Sequence, residues 1–363
     1  MTVPARTLHA VLPAGIDDPA RPSGGNVYDR RSLDGLRTLG WSVVEHEVGG
    51  DWPRPDLADL ARLSLLLDEL PDGALLLVDG LVASAAASVL PAASTRLRVV
   101  VLLHLPLGPG AAEETVLASA AAVVTTSEWA RTQVRSWYGL RHVYAVRPGT
   151  DAAPLASGTG TGEALLCVAT VHPGKGHDLL LEALDRLGDR PWTLVCAGSL
   201  DVDPDHAAAV QAQVYARRWE RRVTFTGPLV GSALEAAYDL ADVVVLPSRG
   251  ESFGMVVTEA LAHGLPVVAT RTGGVPEALG RAPGGALPGL LVAPDDPTAL
   301  ADGLARWLDE RHLRDRLRRA AALRRPTLSG WDHTAADLAD VLAGVGGRVA
   351  AGGPARADVG SRR

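Results

Sequence analysis

The chain has 363 residues, 47% of them hydrophobic and 21% charged, the balance of a globular protein long enough for two or three domains. A formal net charge of -7 excludes a general nucleic-acid binder, which carries a basic field. The two cysteines, Cys167 and Cys196, both fall in apolar runs, which argues against a disulfide framework and for a reducing, cytoplasmic compartment.

In chain order, residues 7–12, 42–47, 74–78, 98–104, 122–126 and 143–146 read as short strands. Helical stretches lie between them, including 27–39, closed by Gly40, and 128–138, which Ser127 can cap. Residues 1–9 lack the pattern of a secretory leader. The apolar stretch 74–93 is interrupted by Asp79, Gly80 and Pro91, and splits into a strand and a helix rather than a membrane span. Near-continuous apolar strands joined by helices indicate a parallel sheet covered on both faces.

The pattern lapses at 151–163 into Ala, Ser, Thr and Gly, a linker by composition. It restarts with strands at 164–169, 192–197, 223–226, 243–246, 266–269 and 290–292. The expected fold is α/β, with doubly wound Rossmann-like domains at 1–150 and 164–327 facing across a cleft where a ligand sits beyond the strand ends. Residues 304–325 read as an arginine-rich helix or helix pair with a solvated face. A helix at 331–344 is expected to pack back on the first domain, and 346–363 to be disordered.

Composition also singles out individual residues. Lys175 is the single lysine among 35 basic residues, and Asn26 is the single asparagine. Phenylalanine occurs only at Phe225 and Phe253, and Met255 is the only methionine after Met1. A rare residue against such a bias has a raised chance of being chemically required.

Three segments carry candidate chemistry. In the first, residues 246–259, a strand gives way to a tight loop with Arg249, Glu251, Ser252 and Phe253, then to a helix starting near Gly254 and Met255. Free N–H groups at such a start suit a phosphate. Glu259 follows Glu251 by eight positions, which along a helix is a rise of about 12 Å, so the pair can grip hydroxyls at opposite ends of a diphosphate. The plain alternative is a surface glutamate and a helix glutamate in a routine βα unit. In the second segment, 171–177, Lys175 follows a Gly-bearing turn and can act as a point charge on a diphosphate, or be an exposed surface lysine. The third segment, 22–28, contains Gly24, Gly25 and Asn26. The glycines let backbone approach a ligand, and Asn26 serves equally as a helix cap.

The stretch 247–277, PSRGESFGMVVTEALAHGLPVVATRTGGVPE, resembles the donor-binding signature of glycosyltransferase family 4 with its Glu-x7-Glu pair. The resemblance implies the GT-B fold and retaining, metal-independent transfer of a hexose from a nucleoside-diphosphate sugar, with no other cofactor. It places Glu251 on the donor sugar and Glu259 on the ribose. The N–H groups of Phe253, Gly254 and Met255 then face sugar and phosphates. Lys175 with Gly176 matches the family's Lys-Gly pair, and Gly24-Gly25 its Gly-Gly loop beside the donor phosphates. His104, at a strand's end before Pro106, matches the strand-end histidine that contacts the sugar; a structural histidine is the alternative. Where the family often has an arginine shortly before the lysine, this chain has Ala169, Thr170 and Val171. Arg249 is the candidate substitute for that charge.

Asp201, Asp203 and Asp205 imitate an Asp-x-Asp metal site but read better as turn and cap residues. Gly273-Gly274 reads as a βα turn. The acceptor is undefined by sequence. A nucleotide-sugar-binding protein with little catalysis, or a GT-B epimerase, is the competing reading. Donor hydrolysis or transfer, against mere binding, separates the binding protein from the first reading.

Overall fold

The computed structural model describes residues 6–347. A first parallel sheet is built from β1 (Thr7–Pro13), β2 (Ser42–Val48), β3 (Leu75–Asp79), β4 (Arg98–Leu103), β5 (Ala122–Thr125) and β6 (Val143–Ala145), in the order β2-β1-β3-β4-β5-β6. A second contains β7 (Ala164–Val168), β8 (Thr193–Ala197), β9 (Val223–Gly227), β10 (Val243–Leu246), β11 (Val267–Thr270) and β12 (Gly289–Val292), in the order β12-β11-β10-β7-β8-β9. Every strand expected from the sequence is present, with its ends within one residue of the expected ones. The central strands β3, β5, β10 and β11 are buried along their whole length, which is why they read as unbroken apolar runs.

Each sheet is covered on both faces by helices, with separate apolar clusters above and below. The arginine-rich region is a pair of helices, Pro297–Asp309 and Arg311–Arg324. The pair begins earlier than the sequence pattern implied, and it is more than a solvated face. Leu300, Leu304, Trp307, Leu313 and Leu317 enter the core of the second sheet. The chain then crosses back, and helix Trp331–Gly347 packs Leu338, Leu342 and Val345 into the core of the first sheet. The expected disordered tail lies outside the described residues, except for Gly346 and Gly347, which belong to this helix.

The first long helix, Gly24–Thr38, starts three residues before the expected Val27. Ser23 caps it, its Oγ accepting the Asn26 N–H at 3.1 Å. Asn26 is therefore a first-turn residue and not the cap.

Candidate functional site

In an open doubly wound sheet, a ligand crevice forms where the strand order reverses, beyond the carboxyl ends of the two strands involved. The reversal falls between β7 and β10 in the second sheet and between β1 and β3 in the first. The segments leaving β7 and β10 carry Lys175 and Glu251; the helix after β1 starts with Gly24 and Gly25, and Asp79 ends β3. The two crevices face each other across a cavity of about 840 Å³ lined from both domains.

On the second domain's side, Lys175 ends a short 3₁₀ turn, Pro173–Lys175, that His172 caps by accepting the Gly174 N–H. Gly176 follows with a φ of +69°, and a Cβ there would lie 2.3 Å from the Pro247 carbonyl oxygen. Only glycine permits both the left-handed turn and this close packing of two loops. The contact brings Lys175 Nζ within 2.6 Å of Glu251 Oε1, which also accepts the Ser248 hydroxyl at 2.8 Å.

Beyond Glu251 the chain turns through Gly254, at φ +91°, into helix Met255–Ala262. No side chain caps this helix, so its first N–H groups are free to meet an anion. The Phe253 ring is core, and its backbone lines the cavity with Ser252, Gly254 and Met255. Glu259 lies in the helix and accepts the Tyr238 hydroxyl at 2.8 Å; burial raises its carboxyl above the usual range, against that bond. Because Glu251 precedes the helix, the eight-position helical spacing does not set the separation of the two carboxylates.

Arg249 departs from its expected place. Its guanidinium is bonded to both oxygens of Asp178, at 2.9 and 2.8 Å, and to Asp295 at 2.7 Å, outside the cavity lining. Two carboxylates already neutralise it, so it is no substitute for the arginine missing before Lys175. It also bonds the Pro173 carbonyl, and so ties the Lys175 turn to the Glu251 loop.

The first domain contributes the start of helix Gly24–Thr38 and the end of β4. Gly24 approaches Met255 across the cleft: a Cβ on it would lie 3.4 Å from the sulfur. Gly25 abuts the His104 ring, and Asn26 lines the same cavity. His104 Nε2 lies 2.8 Å from Asp29 Oδ1 and 3.3 Å from Asp79 Oδ2. Burial alone would lower the imidazole pKa, but the two carboxylates outweigh it and raise it to about 10. Burial raises Asp29 to about 6, whereas Asp79, despite its burial, is held low by His104 and the Leu81 N–H. Among the described residues these three form the one His/Asp group with ligand spacing for a metal. Their separations are those of hydrogen-bonded ion pairs.

Asp29 and Asp79 escaped the sequence reading. So did Ser199, Pro228 and Leu229, which extend the cavity along the ends of β8 and β9. The remaining motifs are structural. Asp203 caps helix Pro204–Ala216. Gly273 and Gly274 support the loop that carries Glu251 and Ser252: a Cβ on either would fall within 2.1 Å of the Glu251 or Ser252 carbonyl oxygen.

Residues 162–310 match the family model described as Glycosyl transferases group 1. The chain is 33% identical over 248 residues to the D-inositol 3-phosphate glycosyltransferase of Jonesia denitrificans, covering 62% of this chain and 57% of that one. It is 34% identical over 206 residues to the Corynebacterium glutamicum protein of the same name, covering 53% and 47%. The chain thus spans about half the length of these curated relatives. Among solved structures, sucrose-phosphate synthase from Thermosynechococcus elongatus superposes with a TM-score of 0.73 at 21% identity, covering 94% of this chain and 99% of that one. Anabaena HepE in complex with UDP-glucose gives 0.73 at 18% identity, covering 93% and 99%. The chain has the GT-B fold, and its second domain carries the sequence pattern of the group 1 glycosyltransferases.

Proposed function

We propose that this protein is a retaining, metal-independent glycosyltransferase that moves a hexosyl group from a nucleoside-diphosphate sugar to an acceptor hydroxyl. The observation that carries the reading is the convergence, beyond the β7/β10 reversal, of Lys175, Glu251 and an uncapped helix start on one cavity. An ammonium and free N–H groups suit a diphosphate, and carboxylates suit sugar and ribose hydroxyls. The relatives named above support transferase chemistry, and the UDP-glucose held by Anabaena HepE makes a uridine donor the first to try.

In this mechanism the bond from the anomeric carbon to the diphosphate oxygen breaks while the acceptor oxygen bonds that carbon from the same face. The acceptor proton passes to the departing diphosphate, so no enzymic nucleophile is needed. Lys175 and the N–H groups at the start of helix Met255–Ala262 offset the charge that develops on the leaving group. Glu251 orients the sugar, and Glu259 the ribose. Two thiols buried in β7 and β8 fit a reducing compartment. Among the described residues no helix is long and apolar enough to cross a membrane.

The test is thermal and then catalytic. UDP, GDP or ADP at millimolar concentration should raise the melting temperature through binding to the folded state. Purified protein should then release UDP from UDP-glucose with EDTA present and form a product of unchanged anomeric configuration. No shift with any nucleoside diphosphate would sink the donor site. A shift without turnover of any nucleotide sugar would favour a binding protein.

A further inference from the structure

Asp29, Asp79 and His104 are far apart in sequence and belong to three different structural features. Asp29 lies in helix Gly24–Thr38, Asp79 ends β3 and His104 follows β4; β3 and β4 are paired, with Asp79 opposite Leu102. The two aspartate side chains are 1% and 3% exposed, and the histidine 16%. Burying two carboxylates is unfavourable even when they are paired, and apolar groups of similar volume usually serve stability as well or better. This cluster therefore points to a role other than holding the domain together.

We propose that Asp29 and Asp79 are positioning residues that fix the His104 ring so that its Nδ1–H donates to an oxygen of the transferred sugar. This rests on the donor-site reading above. A carboxylate only accepts, so Nε2, facing two of them, carries its proton. Nδ1 is then the ring nitrogen left for a ligand; it has no partner among the described residues, and His104 lines the cavity.

The number of carboxylates decides what Nδ1 does. One carboxylate behind an imidazole gives the arrangement of a general base, with the outer nitrogen free to take a proton. Two carboxylates favour the imidazolium, whose outer nitrogen donates. Asp79 is itself anchored, its Oδ1 accepting the Leu81 N–H at 2.7 Å. Tyr28 meets the ring edge-on at 5.3 Å between centroids, and its hydroxyl is committed to the Val146 carbonyl at 2.9 Å. Gly25 closes the other approach, since a Cβ there would lie 3.3 Å from His104 Cδ2. The ring is held on all these sides, and its open edge is a fixed donor. Such a donor fits a transfer in which the diphosphate takes the acceptor proton and no enzymic base is required.

The experiment combines spectra of the ring with kinetics on Asp29→Asn, Asp79→Asn and the double variant. Long-range ¹H–¹⁵N spectra, assigned with His104→Gln, should show both wild-type ring nitrogens protonated at about pH 8.5. In the double variant, where burial is no longer opposed by the two carboxylates, the ring should titrate below its ordinary value of about 6.5. Each single variant should lose about tenfold or more in kcat with UDP-glucose while keeping its affinity for UDP within about twofold. His104→Gln, which keeps an amide donor, should retain more turnover than His104→Ala. A neutral His104 ring at pH 7.5 in the wild type would overturn the proposal, as would wild-type kcat in both folded aspartate variants. If the wild type binds neither UDP nor UDP-glucose, the donor reading itself fails, and the spectra still decide whether the two aspartates hold the ring as a donor.

Discussion

Lys175 and Glu251, 76 residues apart, are bonded to each other at 2.6 Å across the β7/β10 reversal. A diphosphate beside Lys175 must compete with Glu251 for the ammonium, and a sugar hydroxyl can then take the carboxylate that is released. On the proposed donor-site reading, the pair couples the two halves of the donor. Lys175→Ala should lower turnover on the order of a hundredfold, the scale of losing a charge-stabilising donor. Glu251→Gln should leave UDP binding unchanged or tighter while abolishing the advantage of UDP-glucose over UDP. Calorimetric titration of both ligands into both variants checks this. Equal loss of UDP affinity in both would separate the two residues from these roles.

The donor loop owes its shape to a neighbour that touches no ligand in this reading. Gly273 has a φ of +51°, and a Cβ on it would fall 1.7 Å from the Glu251 carbonyl oxygen. The Gly274 N–H donates to that same oxygen at 2.9 Å. Gly273→Ala must push the loop away or unwind the turn, at a cost of about 1–3 kcal/mol. The variant should melt lower than the wild type and lose the UDP-glucose-induced shift. A normal shift would show that the loop tolerates displacement.

Most of this site was legible because its groups lie close together in sequence. The Lys175 turn and the 247–259 segment are each a strand end, a glycine turn and a helix start, and such local patterns survive without knowledge of the fold. Asp29 and Asp79 were not legible. Each reads as one acidic residue in a helix or at a strand end; the pairing of β3 with β4 brings Asp79 to His104, and helix Gly24–Thr38 brings Asp29. Arg249 misled for the same reason. Its charge was visible, whereas Asp178 and Asp295, which consume it, are contacts made only in the folded chain. The start of the first helix was missed because glycine is a poor helix former, so Gly24 and Gly25 read as loop.

The His104 cluster should also leave a mark on stability. The folded-state pKa of His104 is raised above the ordinary imidazole value to about 10 by the two aspartates. Its contribution is therefore fully present below about pH 6.5 and is lost as pH rises through about 10. The melting temperature of the wild type should exceed that of His104→Ala by most at pH 6 to 6.5. The gap should shrink steadily toward pH 10.5. A gap independent of pH would mean that packing alone, and not the ion pairs, accounts for the difference.

Glu277 joins the two domains beside the cleft. From helix Val275–Leu279 of the second domain it accepts the backbone N–H groups of Glu128 and Trp129, the latter at 3.3 Å, at the start of a first-domain helix. It also pairs with Arg147, and close by the Ser127 hydroxyl donates to the Ser252 carbonyl of the donor loop. Arg147 is 56% exposed, so that ion pair adds little. The carboxylate at a helix start is the stronger contact, in the range of about 0.3–1 kcal/mol. Losing it should leave each domain intact while loosening the closed arrangement. Glu277→Ala should therefore unfold with nearly unchanged cooperativity, yet show a larger radius of gyration by small-angle scattering. UDP, placed on the second domain by the proposed reading, should bind within about threefold of wild type, because the loss of under about 1 kcal/mol falls on closure and not on the nucleotide contacts. UDP-glucose, which on the same reading uses His104 as well as Glu251, should lose more. Identical scattering from wild type and variant would mean that the remaining contacts hold the cleft closed without Glu277.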